Sequence, residues 1–369
     1  MDFLIQLSES HRLLSRRVKV ALKGFHSYKG NPQEICKQII EECWNGKYFQ
    51  TSLGNFTEFW TRDFGYCCKA LLNLGYKEEV LQTLDYALHI FRKYDRITTT
   101  INPHEKPLDI FTYSPDSLPI LLMTLRLSKA SALVSKYKKF LESEVKKYIG
   151  LVINKETKLV KDKKAFSSIK DNAIRSSSMY NNCMIALLSK ELDNINIKNP
   201  LKKIDYEKLI TGMFWTGDYF LDDLSEHRYI AGDANVFPFW TGAIKSKEKL
   251  MKCIRKIQEA ELDSPFPLKY TKVKEGKYLL IPELFTPNYE GNSIWMHLGL
   301  IYIEQVMEID KKQAEKYIKE YQELIKKYKT FLEVFNPDET PYKSLIYMAD
   351  EGMLWASIYL YLYKMLVNN

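Results

Sequence analysis

The sequence predicts an all-α protein, an (α/α)6 barrel of six inner and six outer helices, on three observations. Segments of helical period alternate between two kinds, one amphipathic and one apolar nearly all round. The apolar kind restarts at Arg62, Asp116, Arg175, Asp233, Asn292 and Asp350, at intervals of 54 to 59 residues. Strand signals are sparse. A unit of one buried and one surface helix cannot cover its own apolar face, so six such units must close on one another.

Residues 3–22 read as a helix, with Leu4, Leu7, His11, Leu14 and Val18 at helical steps. A single barrel domain is expected over 1–369, with 1–30 an extra N-terminal helix packed on it. The Gly30-Asn-Pro32 turn leads into a second helix over about 32–45. Glu58-Phe-Trp-Thr-Arg-Asp-Phe-Gly-Tyr66 then opens the first apolar helix, which ends at Gly75. Amphipathic helices are expected over 78–94, 131–149, 203–215, 246–259 and 311–332. In the last, apolar residues fall at 314, 317, 318, 321, 324, 325, 328, 331 and 332, a one-sided stripe with Lys and Glu opposite. The run Ser293 to Ile303 is apolar all round and must be covered on most sides. Lys277–Ile281 and Leu151–Ile153 read as short ribbons within loops.

Composition sets outer limits. The chain has 369 residues, 46% hydrophobic and 27% charged, ordinary globular values. Aromatic residues make up 13%, with 25 Tyr and six Trp. Such rings suit a sugar-binding cleft, since a flat apolar face carries a polar tip, and they equally fill a large helical core. The net charge of +8 is spread along helices such as 315–329, so nucleic acid is not an expected partner. Six cysteines at 36, 43, 67, 68, 183 and 253 show no zinc or C-x-x-C spacing, which reads as free thiols in a reducing, cytoplasmic setting. No signal peptide and no 18-residue apolar run is present, so no membrane partner is expected. The histidines at 11, 26, 89, 104, 227 and 297 form no metal-binding group, and neither metal nor cofactor is expected. His297, on an inner helix, reads as a core residue.

Hairpin connectivity makes all inner helices run the same way, so six helix N-termini meet at one face. Unpaired N–H groups and local dipoles there favour acceptor oxygens. The polar residues that open the apolar helices would line one funnel. Trp60-Thr-Arg-Asp-Phe64, Pro287-Asn-Tyr-Glu-Gly291 followed by Trp295, and Glu333-Val-Phe-Asn-Pro337 before a Trp-bearing last helix are three such stretches. In this order they resemble the six-hairpin glycosidases, which include glucoamylase, trehalase, neutral invertase, processing α-glucosidase I and the glucosidase part of glycogen-debranching enzyme.

That resemblance implies an inverting, exo-acting glycoside hydrolase with a carbohydrate substrate, an α-glucoside such as a disaccharide or short α-glucan. One carboxyl protonates the leaving oxygen and another activates water across the sugar. By resemblance Glu333 is the base, expected at the end of the 311–332 helix, where Asn336-Pro337 halts it; a solvated glutamate is the plain alternative. Glu351, in the first turn of the last inner helix, is its rival and also a natural cap. Asp171, in Asp171-Asn-Ala-Ile-Arg175, is the implied acid, with Asp116 as runner-up or simply an N-cap. Arg62 and Asp63 match a clamp for sugar hydroxyls, or else an internal ion pair. Trp60 stacks on a sugar or packs in the core. Asp233 caps its helix or binds substrate, and Arg175, Asn288, Tyr289 and Trp295 complete the expected funnel wall. Two other readings remain: an epimerase using loop histidines His104 and His227, and a carbohydrate-binding barrel that has lost its acid.

Overall fold

The two kinds of helix sort into two concentric rings. The computed structural model describes the backbone of residues 3–162, 164–225 and 227–367, and side chains from residue 12 onward. After α1 (Phe3–Lys23) come α2 (Pro32–Cys43), α3 (Thr61–Asn73), α4 (Lys77–Lys93), α5 (Ser117–Leu127) and α6 (Ser131–Val152). Then follow α7 (Met179–Asn194), α8 (Tyr206–Phe214), α9 (Gly232–Trp240), α10 (Lys247–Glu259), the short α11 (Leu280–Phe285), α12 (Met296–Met307), α13 (Lys311–Tyr328) and α14 (Ala356–Val367).

The inner ring is α3, α5, α7, α9, α12 and α14, each touching the next, and α14 closes back on α3. Outer helices α4, α6, α8, α10 and α13 pack on the inner helix that precedes each, whereas α2 packs on α14. The first outer helix and the last inner helix thus form the sixth hairpin and join the ends of the ring. The (α/α)6 expectation holds. Its cause is visible in burial: α5 is buried from Ser117 to Leu125 without a break. In α13 only the predicted stripe is covered, at Ala314, Tyr317, Ile318, Tyr321, Leu324 and Ile325. Each such side chain contributes about 1.5–3 kcal/mol when fully buried.

Helix boundaries differ from expectation where loops carry structure of their own. The inner helices expected at Arg175, Asn292 and Asp350 begin at Met179, Met296 and Ala356. Two-residue strands lie in the loops that lead into several of these helices. β1 (Phe59–Trp60), β2 (Thr100–Ile101) and β3 (Pro107–Leu108) form one antiparallel ribbon, β4 (Ala173–Ile174) pairs with β5 (Lys277–Tyr278), and β6 (Ile294–Trp295) with β7 (Val334–Phe335). β1, β4 and β6 lead into α3, α7 and α12, so the ribbons lie at the N-terminal face of the inner ring. The expected 277–281 ribbon keeps only its first two residues, because Leu280 opens α11. Leu151 and Val152 end α6 instead of forming a strand, and only Ile153 makes a bridge, to Val160.

Helix α13 stops at Tyr328, short of the expected 332, where Lys329 turns left-handed with φ 55°. Glu333 therefore sits in a bend between the Leu332 bridge and β7 and not on a helix. The turn before α2 follows the expected chemistry: Asn31 and Glu34 cap each other reciprocally and Pro32 opens the helix. In α1 the expected stripe is not the covered one. Leu14 and Val18 are exposed, while Leu4, Leu7 and His11 lie outside the described side chains. The helix is held by arginines: Arg16 pairs with Asp350 and Glu351, and Arg17 Nε donates to the Ser344 carbonyl at 2.8 Å.

Gly299 marks where α12 approaches its neighbours most closely. A Cβ there would collide with the Pro267 carbonyl and with the Tyr321 hydroxyl, which itself lies 2.7 Å from that carbonyl oxygen. Gly299→Ala is expected to destabilise the chain by about 1–3 kcal/mol through overpacking. Gly150→Ala, in an exposed part of α6 with open space around it, should be neutral or stabilising by about 0.5–1 kcal/mol. Denaturant midpoints of the two variants test the contrast.

Candidate active site

Glu333 lies just before β7, and its carboxylate is 2% exposed. It accepts hydrogen bonds from the Tyr289 hydroxyl at 2.6 Å, the Tyr347 hydroxyl at 2.5 Å and the Asp350 N–H at 2.9 Å. Burial, with Asp350 nearby, pushes its pKa up to about 7 against these three donors.

Asp171 lies two residues before β4. One oxygen is 3.0 Å from Arg62 Nη2 and the other accepts from Ser167 Oγ at 2.8 Å. Its side chain keeps 21% of its surface exposed. Burial raises its pKa above the ordinary carboxylate value, while Arg62 and Ser167 pull it down. Asp116 is on the other arm of the same guanidinium, 3.2 Å from Arg62 Nη1, and also accepts from Tyr180 and Ser114. It is wholly buried and makes no capping bond, so the N-cap reading fails.

Two adjacent residues span the loops that carry Glu333 and Asp171. Tyr289 reaches Glu333, and Glu290 reaches the other side, accepting from the Asp171 N–H at 2.6 Å and the Asn172 N–H at 3.0 Å. Burial and the charge of Asp171 push Glu290 up to about 8. The sequence reading singled out Tyr289 and passed over Glu290 inside the same quoted stretch. Its partners are backbone N–H groups 118 and 119 positions away, which leave no side-chain signature.

Around this pair, Asp63 accepts from Trp355 Nε1 at 3.1 Å, and burial lifts its pKa to about 6 against Arg62 and Trp355. His297 is not the satisfied core residue the sequence implied. Its ring stacks on Tyr66 and tilts against Trp355, Nδ1 has no hydrogen-bond partner, and burial followed by Arg62 holds it neutral. Trp295 packs between His297 and Tyr289 and donates to the Tyr289 carbonyl. Trp60 sits before α3, edge-on to Phe56, with Nε1 buried and likewise unpartnered.

Four expected site residues lie outside this group. Arg175 and Asp233 pair at 3.1 Å in a buried cluster with Lys170 and Asp222, and Asp233 makes no cap. Glu351 precedes α14 by five residues and binds Arg16 and the His26 N–H. Asn288 is exposed, in a left-handed turn at φ 60° that brings its carbonyl to the Gly291 N–H. An open cavity of about 410 Å³ flanks the Lys170–Asp222 cluster and the β4–β5 ribbon, but Asp171, Glu290 and Glu333 do not line it.

No protein-family model matches the sequence, and no curated protein matches it. Solved structures do. A glycosidase variant in complex with glucose superposes with a TM-score of 0.64 at 9% identity, over 97% of this chain and 98% of that one. A rhamnosidase from Klebsiella oxytoca with rhamnose bound gives 0.63 at 13% identity, over 92% and 65%. A mannosylglycerate hydrolase from Thermus thermophilus, in complex with Tris and D-glycerate, gives 0.61 at 8% identity, over 90% and 100%. At such identities the likeness is one of architecture, and on that footing the chain has the fold of the six-hairpin glycosidases.

Proposed function

We propose that this protein is an inverting, exo-acting glycoside hydrolase that removes a terminal α-glucosyl unit, with Asp171 as general acid and Glu333 as general base. The observation that carries the proposal is the pair of carboxyl groups linked through Tyr289 and Glu290. One is buried and poised near neutral pH, and the other keeps a fifth of its surface open. Inversion requires a gap of roughly 6.5–9.5 Å between such groups, enough for one water. Asp171 in its protonated form passes its proton to the glycosidic oxygen as the C1–O bond breaks. Glu333, ionised, takes a proton from the water that attacks C1 on the opposite face. A sugar seated on Asp171 excludes the remaining solvent and deepens the desolvation that favours its neutral form.

Asp171 is preferred to Asp116 because Asp116 has no surface for a substrate to touch. Unpartnered Trp60 Nε1 and His297 Nδ1 suit the hydroxyls of a single sugar, since buried polar atoms rarely go unpaired. Glucose in one of the superposed structures supports the choice of sugar. The epimerase reading lacks a matching observation: His104, on a turn, and His227, in a loop, are both exposed. Six buried free cysteines support a reducing, cytoplasmic location.

Trehalose, maltose, isomaltose and sucrose, followed by NMR, form the direct test, and sucrose, whose other product is fructose, is expected to release β-glucose first. The α anomer appearing first would defeat the inverting scheme. No turnover of any glycoside by the folded protein would leave the carbohydrate-binding reading. Asp171→Asn and Glu333→Gln should each lower kcat by about 10²–10⁴ in protein that still folds by circular dichroism, with Asp171→Asn also lowering the melting temperature because Arg62 loses a charge partner.

The base must be ionised, so kcat/KM should fall as pH drops through about 7, the value to which Glu333 is raised. Tyr347→Phe removes a donor to the ionised form. It should move that acid limb upward by about one pH unit, equivalent to roughly 1.4 kcal/mol.

Glu290→Gln keeps an acceptor for the Asp171 and Asn172 N–H groups but abolishes an ionisation at about 8. Above that pH the native Glu290 charge helps hold the proton on Asp171, so the alkaline limb of the variant should shift to lower pH. A pH–rate profile for each variant decides both points.

A further inference from the structure

Exposed apolar side chains gather on the face of the barrel that carries the carboxylates. On α11, Leu280, Ile281, Leu284 and Phe285 all point outward, with Leu280 72% exposed. On α1, Leu14, Val18 and Leu22 form a stripe at four-residue spacing, with Leu22 80% exposed. Between them stands Leu345, 77% exposed.

The three segments adjoin. Arg17 of α1 donates to the carbonyl of Ser344, next to Leu345, and Tyr342 of the same loop donates to the Pro287 carbonyl, two residues past α11. Single exposed leucines are ordinary; a set spread over three contiguous segments of one face is not. Exposed Lys19, Lys23, Lys277 and Lys343 stand among them, on a chain of net charge +8. Glu275 and Glu283 are the acids of the α11 region, and Glu283 is already paired with Lys274.

We infer that this face docks on an anionic lipid surface, the apolar side chains entering the headgroup layer and the lysines meeting lipid phosphates and carboxylates. Aliphatic and aromatic tips ringed by lysine are the composition that interfacial segments use. A second copy of the chain is the weaker candidate, because it would bring the same lysines against each other. The inference departs from the sequence expectation of no membrane partner, which rested on the lack of a spanning helix. Docking needs none, and no described helix is long and apolar enough to span. The funnel mouth would then face the bilayer, which places glycosides carried on lipids within reach.

The test is co-sedimentation of the full chain with phosphatidylcholine vesicles, with and without phosphatidylserine. The wild type is expected to pellet with the anionic vesicles, and added salt should weaken that binding. Paired substitutions Val18→Asp with Leu22→Asp, and Ile281→Asp with Leu284→Asp, should each cut the affinity about tenfold or more. These positions are exposed, so melting temperature and hydrolysis of a soluble glycoside should not change. Failure of the wild type to bind either vesicle, or undiminished binding by both variants, overturns the inference. A dimer in sedimentation velocity that the same substitutions split also overturns it, in favour of self-association. Vesicle binding requires no turnover, so this result is independent of the hydrolase proposal.

Discussion

One buried guanidinium fixes the geometry on which the site depends. Arg62 opens α3 and is 6% exposed, with one arm on Asp116 at the start of α5 and the other on Asp171 in the loop to α7. Its neighbour Asp63 holds the indole of Trp355, just before α14. A single dipeptide thus reaches the entrances of three other inner helices. Buried ion pairs gain little over a well-packed apolar core. Losing one partner is different, and costs about 3–5 kcal/mol because a charge is left uncompensated. The N-terminal face of the ring is therefore locked by interactions that punish small displacements, whereas the opposite face has shorter connections, from the three-residue turns at 74–76, 128–130 and 308–310 to the longer 195–205.

That asymmetry also decides which acids are reactive. Asp63 lies in the first turn of α3, where the helix dipole contributes about 0.3–2 kcal/mol in favour of a carboxylate. Its pKa nevertheless rises to about 6, because burial of the charge outweighs both the dipole and Arg62. Asp171 and Glu333 have no such helix terminus to help them. They stand in loops ahead of α7 and α14, where burial is opposed at Asp171 by the Arg62 charge and the Ser167 hydroxyl and at Glu333 by hydrogen bonds alone. For Glu333 these are two tyrosine hydroxyls and one N–H, a set that leaves it near neutrality. Groups that change charge easily at neutral pH are those an acid–base pair requires.

The ring was legible because its cause is periodic. Buried helices recur, and their spacing survives even where the helices start four to six residues later than expected, as at Arg175, Asn292 and Asp350. Side-chain roles within the mouth were less legible, because they depend on partners distant in sequence. Asp233 and Arg175 looked like funnel residues from their place before helices, yet Lys170 and Asp222 draw them into a closed charge cluster. Glu351 follows Asp350 directly and both carboxylates pair with Arg16 of α1, while the Asp350 N–H binds Glu333. The stripe read on α1 is real as a pattern, but the anchors at Arg16 and Arg17 leave Leu14 and Val18 to solvent.

Residues 260–295 combine these themes in one long connection. Its C-terminal part carries Tyr289 and Glu290, whose side chains are bonded to Glu333 and to the backbone at Asp171. Its middle part is α11, anchored by the Leu279 N–H on the Asn172 carbonyl and showing leucine and phenylalanine to the outside. Only Thr286, Pro287 and Asn288 separate Phe285 from Tyr289. The segment that spans the two carboxylate loops is thus continuous with the segment that meets whatever approaches the mouth. A barrel with short turns on both faces would offer neither. The long loops at one face place the bridging residues and the contact surface on the same stretch of backbone, while the rings beneath supply the rigidity.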